Sequence, residues 1–301
     1  MSAPPRPGLL HDARSFSRLV KLGHTVFGLP FALAAALLAH RFAVDHGQPG
    51  LTWGRLLLLV LAFAGARAAA MGFNRIVDRR FDAQNPRTAD HELPRGVISV
   101  RAAAWFTALS AVVFVAAAAA LGPVPAILAG PCLLVVLGYS YFKRFSWSSH
   151  LLLGLALALA PGGAFVAVTG SFDGWWIPVP LMLAVATWVA GFDVLYSLAD
   201  ADFDRAHGLH SIPARFGIRG ALVISALLHV GTVAALLALH WLAGLGAVHL
   251  AGVGLVAALL VYEHWIVRPN DLTRLGKAFF DLNGYVSLGY LLAVVGQTLI
   301  G

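Results

Sequence analysis

Residues Arg67 to Gly96 read RAAAMGFNRIVDRRFDAQNPRTADHELPRG. The stretch begins inside an apolar run, residues 55–77, that is long enough to cross a bilayer, and it ends in a polar, cation-rich loop. Asn74, Asp78 and Asp82 recur every four residues, so on a helix they form one stripe, and Asn85-Pro86 marks where that helix must stop. A carboxamide and two carboxylates therefore meet at a membrane surface. Acidic groups in or beside hydrocarbon are costly enough that a functional role is the default, and stacked acidic oxygens suit a hard divalent cation.

The whole chain supports the membrane reading. Its 301 residues are 59% hydrophobic and only 12% charged, with a mean hydropathy of +0.79. A soluble globular domain does not have this composition, and the alternating pattern of barrel strands is absent, so the expected class is all-α. Apolar segments fall at 24–41, 55–77, 102–121, 124–142, 149–170, 175–198, 219–239, 243–264 and 277–299, which predicts a polytopic bundle of nine transmembrane helices. No composition shift divides the chain, and residues 1–301 are expected to form one domain. Residues 1–23 lack a small-residue cleavage site after an apolar core and read as an amphipathic lead-in, not a removed signal peptide. The single cysteine, Cys132, excludes an internal disulfide and fits packing.

The formal charge of +7 is better explained by membrane topology than by nucleic-acid binding. Apart from Arg41, Arg55 and Arg67, every one of the 21 lysines and arginines falls at the N-terminus or in loops on one side of the bundle. The positive-inside rule then puts the N-terminus and those loops in the cytoplasm and the C-terminus outside, as expected for a bacterial-type inner membrane protein. Trp53, Trp105, Trp147, Trp175, Trp176, Trp241 and Trp265 sit near span ends, where indoles anchor to the interface. Nothing in the chain calls for an obligate protein partner.

More than half of the 14 acidic residues lie in two short stretches on that same face. The second, Gly191 to Gly217, reads GFDVLYSLADADFDRAHGLHSIPARFG, and its Asp193, Tyr196, Asp200 and Asp204 are spaced 3, 4 and 4, again one helical stripe, with Asp202 pointing elsewhere. Two opposed acidic stripes repel unless cations sit between them, so a site for about two Mg²⁺ ions is expected, with Asn74, Asp78, Asp82, Asp193, Asp200 and Asp204 as ligands. Mg²⁺ usually bridges carboxylates to phosphate oxygens, and nearby Arg and Lys complete an anion site. A diphosphate at a membrane surface, above an apolar space between helices, points to a lipid diphosphate. A transporter would instead spread its charges through the membrane depth and repeat itself in inverted order.

The run of Asn74, Asp78 and Asp82 followed by Asn85-Pro86-Arg87-Thr88, together with Asp193, Tyr196, Asp200 and Asp204, resembles the two signatures of the UbiA superfamily of intramembrane aromatic prenyltransferases. The resemblance covers nearly the whole chain. It implies a helical bundle with a central cavity opening toward lipid, Mg²⁺ dependence, and transfer of a polyprenyl chain from its diphosphate to an aromatic acceptor. Lys21 to Phe27, Leu29-Pro30-Phe31, YSYFKR at 139–144, Tyr262-Glu263-His264, Ala278-Phe279-Phe280 and Asn283-Gly284 resemble its 4-hydroxybenzoate polyprenyltransferase-like group, especially members assigned to menaquinone synthesis, whose acceptor is a dihydroxynaphthoate. Family members often carry a basic residue near His91; here Asp90-His91-Glu92 is acidic, which argues against diphosphate contacts in that segment.

The expected mechanism follows. Asp78, Asp82, Asp200 and Asp204 are the catalytic carboxylates, and Arg87, Lys143 and Arg205 are diphosphate clamps. Arg67, seven residues before Asn74 and about 10 Å deeper on the same face, suits the carboxylate of an aromatic acid or a structural ion pair. His24 and Asn283 either line the pocket or bond between helices. Tyr196 either steadies the allylic cation with its ring or bonds a phosphate. Phe27, Phe31, Phe73 and Phe81 either touch the chain or pack the core. The acceptor could also be a haem, a chlorophyllide or a lipid headgroup.

Overall fold

The computed structural model describes Leu19 and residues 25–300. Its helices are α1 Thr25–Asp45, α2 Trp53–Asp82, α3 Val100–Leu121, α4 Pro123–Gly138, α5 Ser149–Thr169, α6 Pro178–Ser197, α7 Ala201–Ala206, α8 Ile212–Leu242, α9 Ala247–Ile266 and α10 Asn283–Ile300. Among the described residues nine helices are long and apolar enough to span a membrane, matching the expected nine in number and order. α4 runs on as a 3-10 turn over Tyr139–Arg144, and α10 is entered through a π-helical turn, Ala278–Leu282.

Neighbours in the bundle are α2 with α3, α3 with α4, α4 with α5, α5 with α6 and α1, α6 with α8, α8 with α9, and α9 with α10, which returns to α1. α1 and α6 are the most enclosed spans; Ala34, Ala35, Ala36 and Ala39 of α1 are fully buried against Leu181, Val185 and Trp188 of α6 and their neighbours. Outer faces stay apolar, with Leu57, Leu109, Ile127, Leu134, Leu227, Val261 and Leu292 exposed, as surfaces meeting lipid require. Without a hydrophobic drive between lipid-solvated helices, close backbone approach supplies the packing. Gly154 of α5 shows this: a Cβ there would lie 2.2 Å from the carbonyl oxygen of Ala186 on α6.

Three features position the site. α2 has 30 residues, about 45 Å of helix, so its last turns project past a hydrocarbon core of about 30 Å and carry Asp78 and Asp82 to the surface. It stops at Asp82, just ahead of Asn85-Pro86. The second acidic segment departs from one straight stripe: α6 ends at Ser197, Leu198–Asp200 forms a 3-10 turn, and Asp204 rides on the separate helix α7. The tighter turn re-aims Asp200, and the chain then folds back into α8, whose start is capped by Ser211 Oγ accepting from Ala214 N.

Candidate active site

A cavity of about 820 Å³ opens between α1 to α6. One end is polar, lined by Asn74, Asp78, Asp82, Arg87, His91, Lys143, His150, Asp193, Tyr196, Asp200 and Asp204. The rest is apolar, walled by residues such as Phe63, Phe114, Leu128, Leu157, Phe165 and Met182. The two acidic segments, far apart in sequence, thus face one space.

The acidic groups at the mouth are matched to cations or donors. Asp78 binds Lys143 Nζ at 2.7 Å and Arg144 at 3.3 Å, and accepts from Asn74 Nδ2 at 3.1 Å. Asp82 faces Arg75 at 3.4 Å and His91 Nδ1 at 3.6 Å. Asp200 accepts from Arg87 Nε at 2.8 Å, from a second Arg87 nitrogen, and from Asn85 Nδ2 at 2.9 Å. Arg87 also donates to the Tyr196 hydroxyl at 2.7 Å, with its guanidinium 4.8 Å above that ring. Burial opposes the Arg87 charge, but the Asp200 carboxylate outweighs it and raises the guanidinium pKa. Asp193 accepts from His150 Nδ1 at 2.7 Å; since His150 Nε2 accepts the Ile212 N–H at 3.3 Å, the ring proton sits on Nδ1. The repulsion between acidic segments is offset in this structure by side-chain cations, and among the described residues no three His, Cys, Asp or Glu side chains converge into a metal cage.

Arg67 lines the cavity below this mouth, as expected. Its Nε is buried without a hydrogen-bond partner, and among the described residues no carboxylate pairs with it.

Two expected site residues lie elsewhere. Arg205 turns to Asp202 Oδ1 at 2.7 Å and to the carbonyls of Pro213 and Ala214, where it ties α7 to α8 outside the cavity. Asn283 is buried in the bundle, accepting from Trp188 Nε1 at 2.8 Å and donating to Glu263 and to backbone carbonyls, so the interhelical bond is its role. His24 lies outside the described residues. Of the four phenylalanines, Phe27 reaches the cavity; Phe31 is wedged between Trp188 and Tyr290, Phe73 meets Tyr141, and Phe81 lies under Lys143 and Arg144.

Other residues of the site have weaker signals in the sequence. Arg75 sits seven residues before Asp82 on the stripe's flank, where its charge also fits a purely topological role. Arg144 adjoins Lys143 in YSYFKR. His91 joins the site through Asp82 and Arg75 despite its acidic neighbours, while His150, alone at a helix start, has no signal.

Comparison with known proteins bears on the family and the fold. Residues 28–285 match the UbiA prenyltransferase family. The chain belongs to the UbiA prenyltransferase family. It is 32% identical over 75% of its length to a 4-hydroxybenzoate octaprenyltransferase of Tolumonas auensis, covering 79% of that protein. To the protein of the same name from Aliivibrio fischeri it is 27% identical over 97% of its length and 99% of the relative's. The solved apo structure of a UbiA homologue from Aeropyrum pernix K1 superposes with a TM-score of 0.82 at 35% identity, over 91% of this chain and 97% of the homologue. This UbiA member shares its fold, at 22% identity and a TM-score of 0.70, with a homologue from Archaeoglobus fulgidus solved bound to GPP and Mg²⁺, over 94% of this chain and 99% of that one.

Proposed function

We propose that the protein transfers a polyprenyl chain from its diphosphate to an aromatic acid of the hydroxybenzoate or dihydroxynaphthoate type. The observation that carries this is one cavity with a charged mouth, an arginine below it that has no carboxylate partner among the described residues, and an apolar remainder. A diphosphate fits the mouth, an isoprenoid tail the apolar part, and the carboxylate of a small aromatic acid the arginine. Relatives named 4-hydroxybenzoate octaprenyltransferase support the choice of an aromatic acid. By charge distribution the mouth faces the cytoplasm.

The donor set suits Mg²⁺: Asp78, Asp82, Asp200 and Asp204, with Asn74 and Asp193, offer hard oxygens around one space, where phosphate oxygens would complete the ion's shell. Bound there, Mg²⁺ would neutralise charge on the diphosphate leaving group. Arg87 and Lys143 have the reach to release their carboxylates and grip diphosphate oxygens, Arg87 by its bidentate fork. The allylic C–O bond then breaks with its electron pair leaving on the diphosphate. The allylic carbon is attacked by the ring position ortho to the acceptor hydroxyl, and loss of that ring proton restores aromaticity. Arg67 holds the acceptor carboxylate so that its ring lies below the mouth, and the apolar walls keep water from trapping the cation as an alcohol.

The test is direct. Protein purified in detergent is incubated with Mg²⁺, a polyprenyl diphosphate, and 4-hydroxybenzoate or dihydroxynaphthoate, and prenylated product is sought by mass spectrometry. No product with any aromatic acid would sink the reading.

A further inference from the structure

Three buried side chains outside the cavity meet at one point: Trp188 on α6, Glu263 on α9 and Asn283 at the start of α10, exposed by 0%, 1% and 0%. Asn283 is the hub. Its Oδ1 accepts from Trp188 Nε1 at 2.8 Å, and its Nδ2 donates to Glu263 Oε1 at 3.4 Å and to the carbonyls of Ala278 and Phe279, each at 3.2 Å. Those two carbonyls belong to the π-helical turn Ala278–Leu282. A π turn displaces carbonyls from the ordinary helical ladder, and in apolar surroundings they need another donor. The Asn283 amide is that donor.

The turn has a consequence at the active site. It carries Phe279 onto the cavity wall, where its ring stacks on Tyr196 with centroids 4.0 Å apart and planes at 24°. Phe27 and Phe192 pack edge-on against Phe279 at 5.6 and 5.5 Å and close the stack from behind. Tyr196 in turn holds Arg87, which spans to Asp200. Moving the Phe279 backbone by one helical register would withdraw the ring from Tyr196 and leave the phenol free to turn away from Arg87.

The geometry points to Asn283, Trp188 and Glu263 as positioning residues that set the π turn, and to Phe279 as the side chain through which they fix Tyr196 and Arg87 for the diphosphate. This rests on the prenyl-transfer reading and adds to it a control of the donor end from the far side of α10. The acceptor, held by Arg67 deeper in the cavity, lies outside this relay.

The test uses the full-length protein in detergent with Mg²⁺, titrated with geranyl diphosphate by calorimetry, beside steady-state kinetics with both substrates. Asn283→Ala and Phe279→Leu should each weaken geranyl diphosphate binding about tenfold, as a displaced positioning shell does, and raise the donor KM while the acceptor KM stays within about twofold. Phe279→Tyr keeps the ring face and should bind like wild type. Adding Tyr196→Phe to Asn283→Ala should cost little more than either change alone, since both act on one unit. Phe279→Leu lies on the cavity wall and serves as the deciding variant if Asn283→Ala does not fold. Wild-type protein that binds no geranyl diphosphate would overturn the prenyl-transfer reading and this relay with it. Wild-type binding that persists unchanged in Phe279→Leu, or an acceptor KM that rises in step with the donor KM, would overturn the relay alone.

Discussion

Arg87, in the loop that follows the first acidic stripe, grips Asp200 of the second, its Nε 2.8 Å from Oδ1 and its fork closed on both carboxylate oxygens. This contact joins two motifs more than a hundred residues apart at the mouth of the cavity. A planar fork that matches a carboxylate also matches a phosphate, so the same guanidinium can change partners without changing rotamer class. Arg87→Ala should therefore lower kcat/KM for the prenyl donor by about 10²–10³, the cost of removing one preorganised charge stabiliser. Arg87→Lys should recover only part, because a point charge cannot reproduce the bidentate grip. Equal activity of Arg87→Lys and wild type would show that the fork geometry is irrelevant.

Arg67 carries a second prediction. A guanidinium facing a mostly apolar cavity, with no carboxylate partner among the described residues, costs stability that a bound acceptor carboxylate would offset. Arg67→Met should raise Tm by roughly 1–2 °C, equivalent to about 1 kcal/mol, while raising the acceptor KM at least tenfold and leaving the donor KM nearly unchanged. Thermal melts in detergent and two-substrate kinetics check both halves. A donor KM that rises more than the acceptor KM would count against the acceptor role.

Metal removal gives the third. Lys143, Arg144, Arg75 and Arg87 pair with acidic groups at the mouth, so the fold is expected to survive without an ion there. Chelation with EDTA should abolish prenyl transfer and leave Tm within a degree or two, and added Mg²⁺ should restore activity. Asp78→Asn should shift the Mg²⁺ concentration for half-maximal activity upward as well as lowering kcat. A melt that collapses on chelation would instead assign the metal a structural role.

The chain advertises some of this in its residues and hides the rest. The Asn74, Asp78 and Asp82 stripe is legible because charges are scarce, and polar groups with a four-residue period in an apolar run must share one helix face. Arg67 is legible for the same reason. Arg205 is not, because its adjacency to Asp204 says nothing of direction: the 3-10 turn at 198–200 starts a new helix, and its side chain finds Asp202 and the α8 carbonyls first. Asn283 is legible as a polar group within a span that can bond between helices, but its partners Trp188 and Glu263, like His150, escape because their meaning is a contact between separate helices, and hydropathy periods report only which face of one helix is apolar. The sequence leads to an expectation of Mg²⁺ from repulsion between acidic stripes, and the structure shows Arg75, Arg87, Lys143 and Arg144 relieving that same repulsion through contacts that spacing along one helix does not encode.

Gly154 tests the packing that holds the cavity's shape. α5 and α6 approach so closely there that an added methyl would meet the Ala186 carbonyl oxygen at 2.2 Å, a backbone atom that cannot swing aside as a side-chain tip could. α6 also carries Asp193 and Tyr196, and α5 carries His150, which orients Asp193. Gly154→Ala must therefore push the two helices apart at the site's own supports. The expected cost is about 1–3 kcal/mol of stability, as for other overpacked interiors, with a fall in kcat larger than the fall in thermal stability would explain. Gly163, on the same helix but facing the open space of the cavity, is the internal control for packing: Gly163→Ala meets no atom within 4 Å and should leave thermal stability close to wild type. Melts of the two variants side by side, with turnover of Gly154→Ala against wild type, decide the matter, and a Gly154→Ala protein as stable as Gly163→Ala and as active as wild type would mean that the α5–α6 approach is slack.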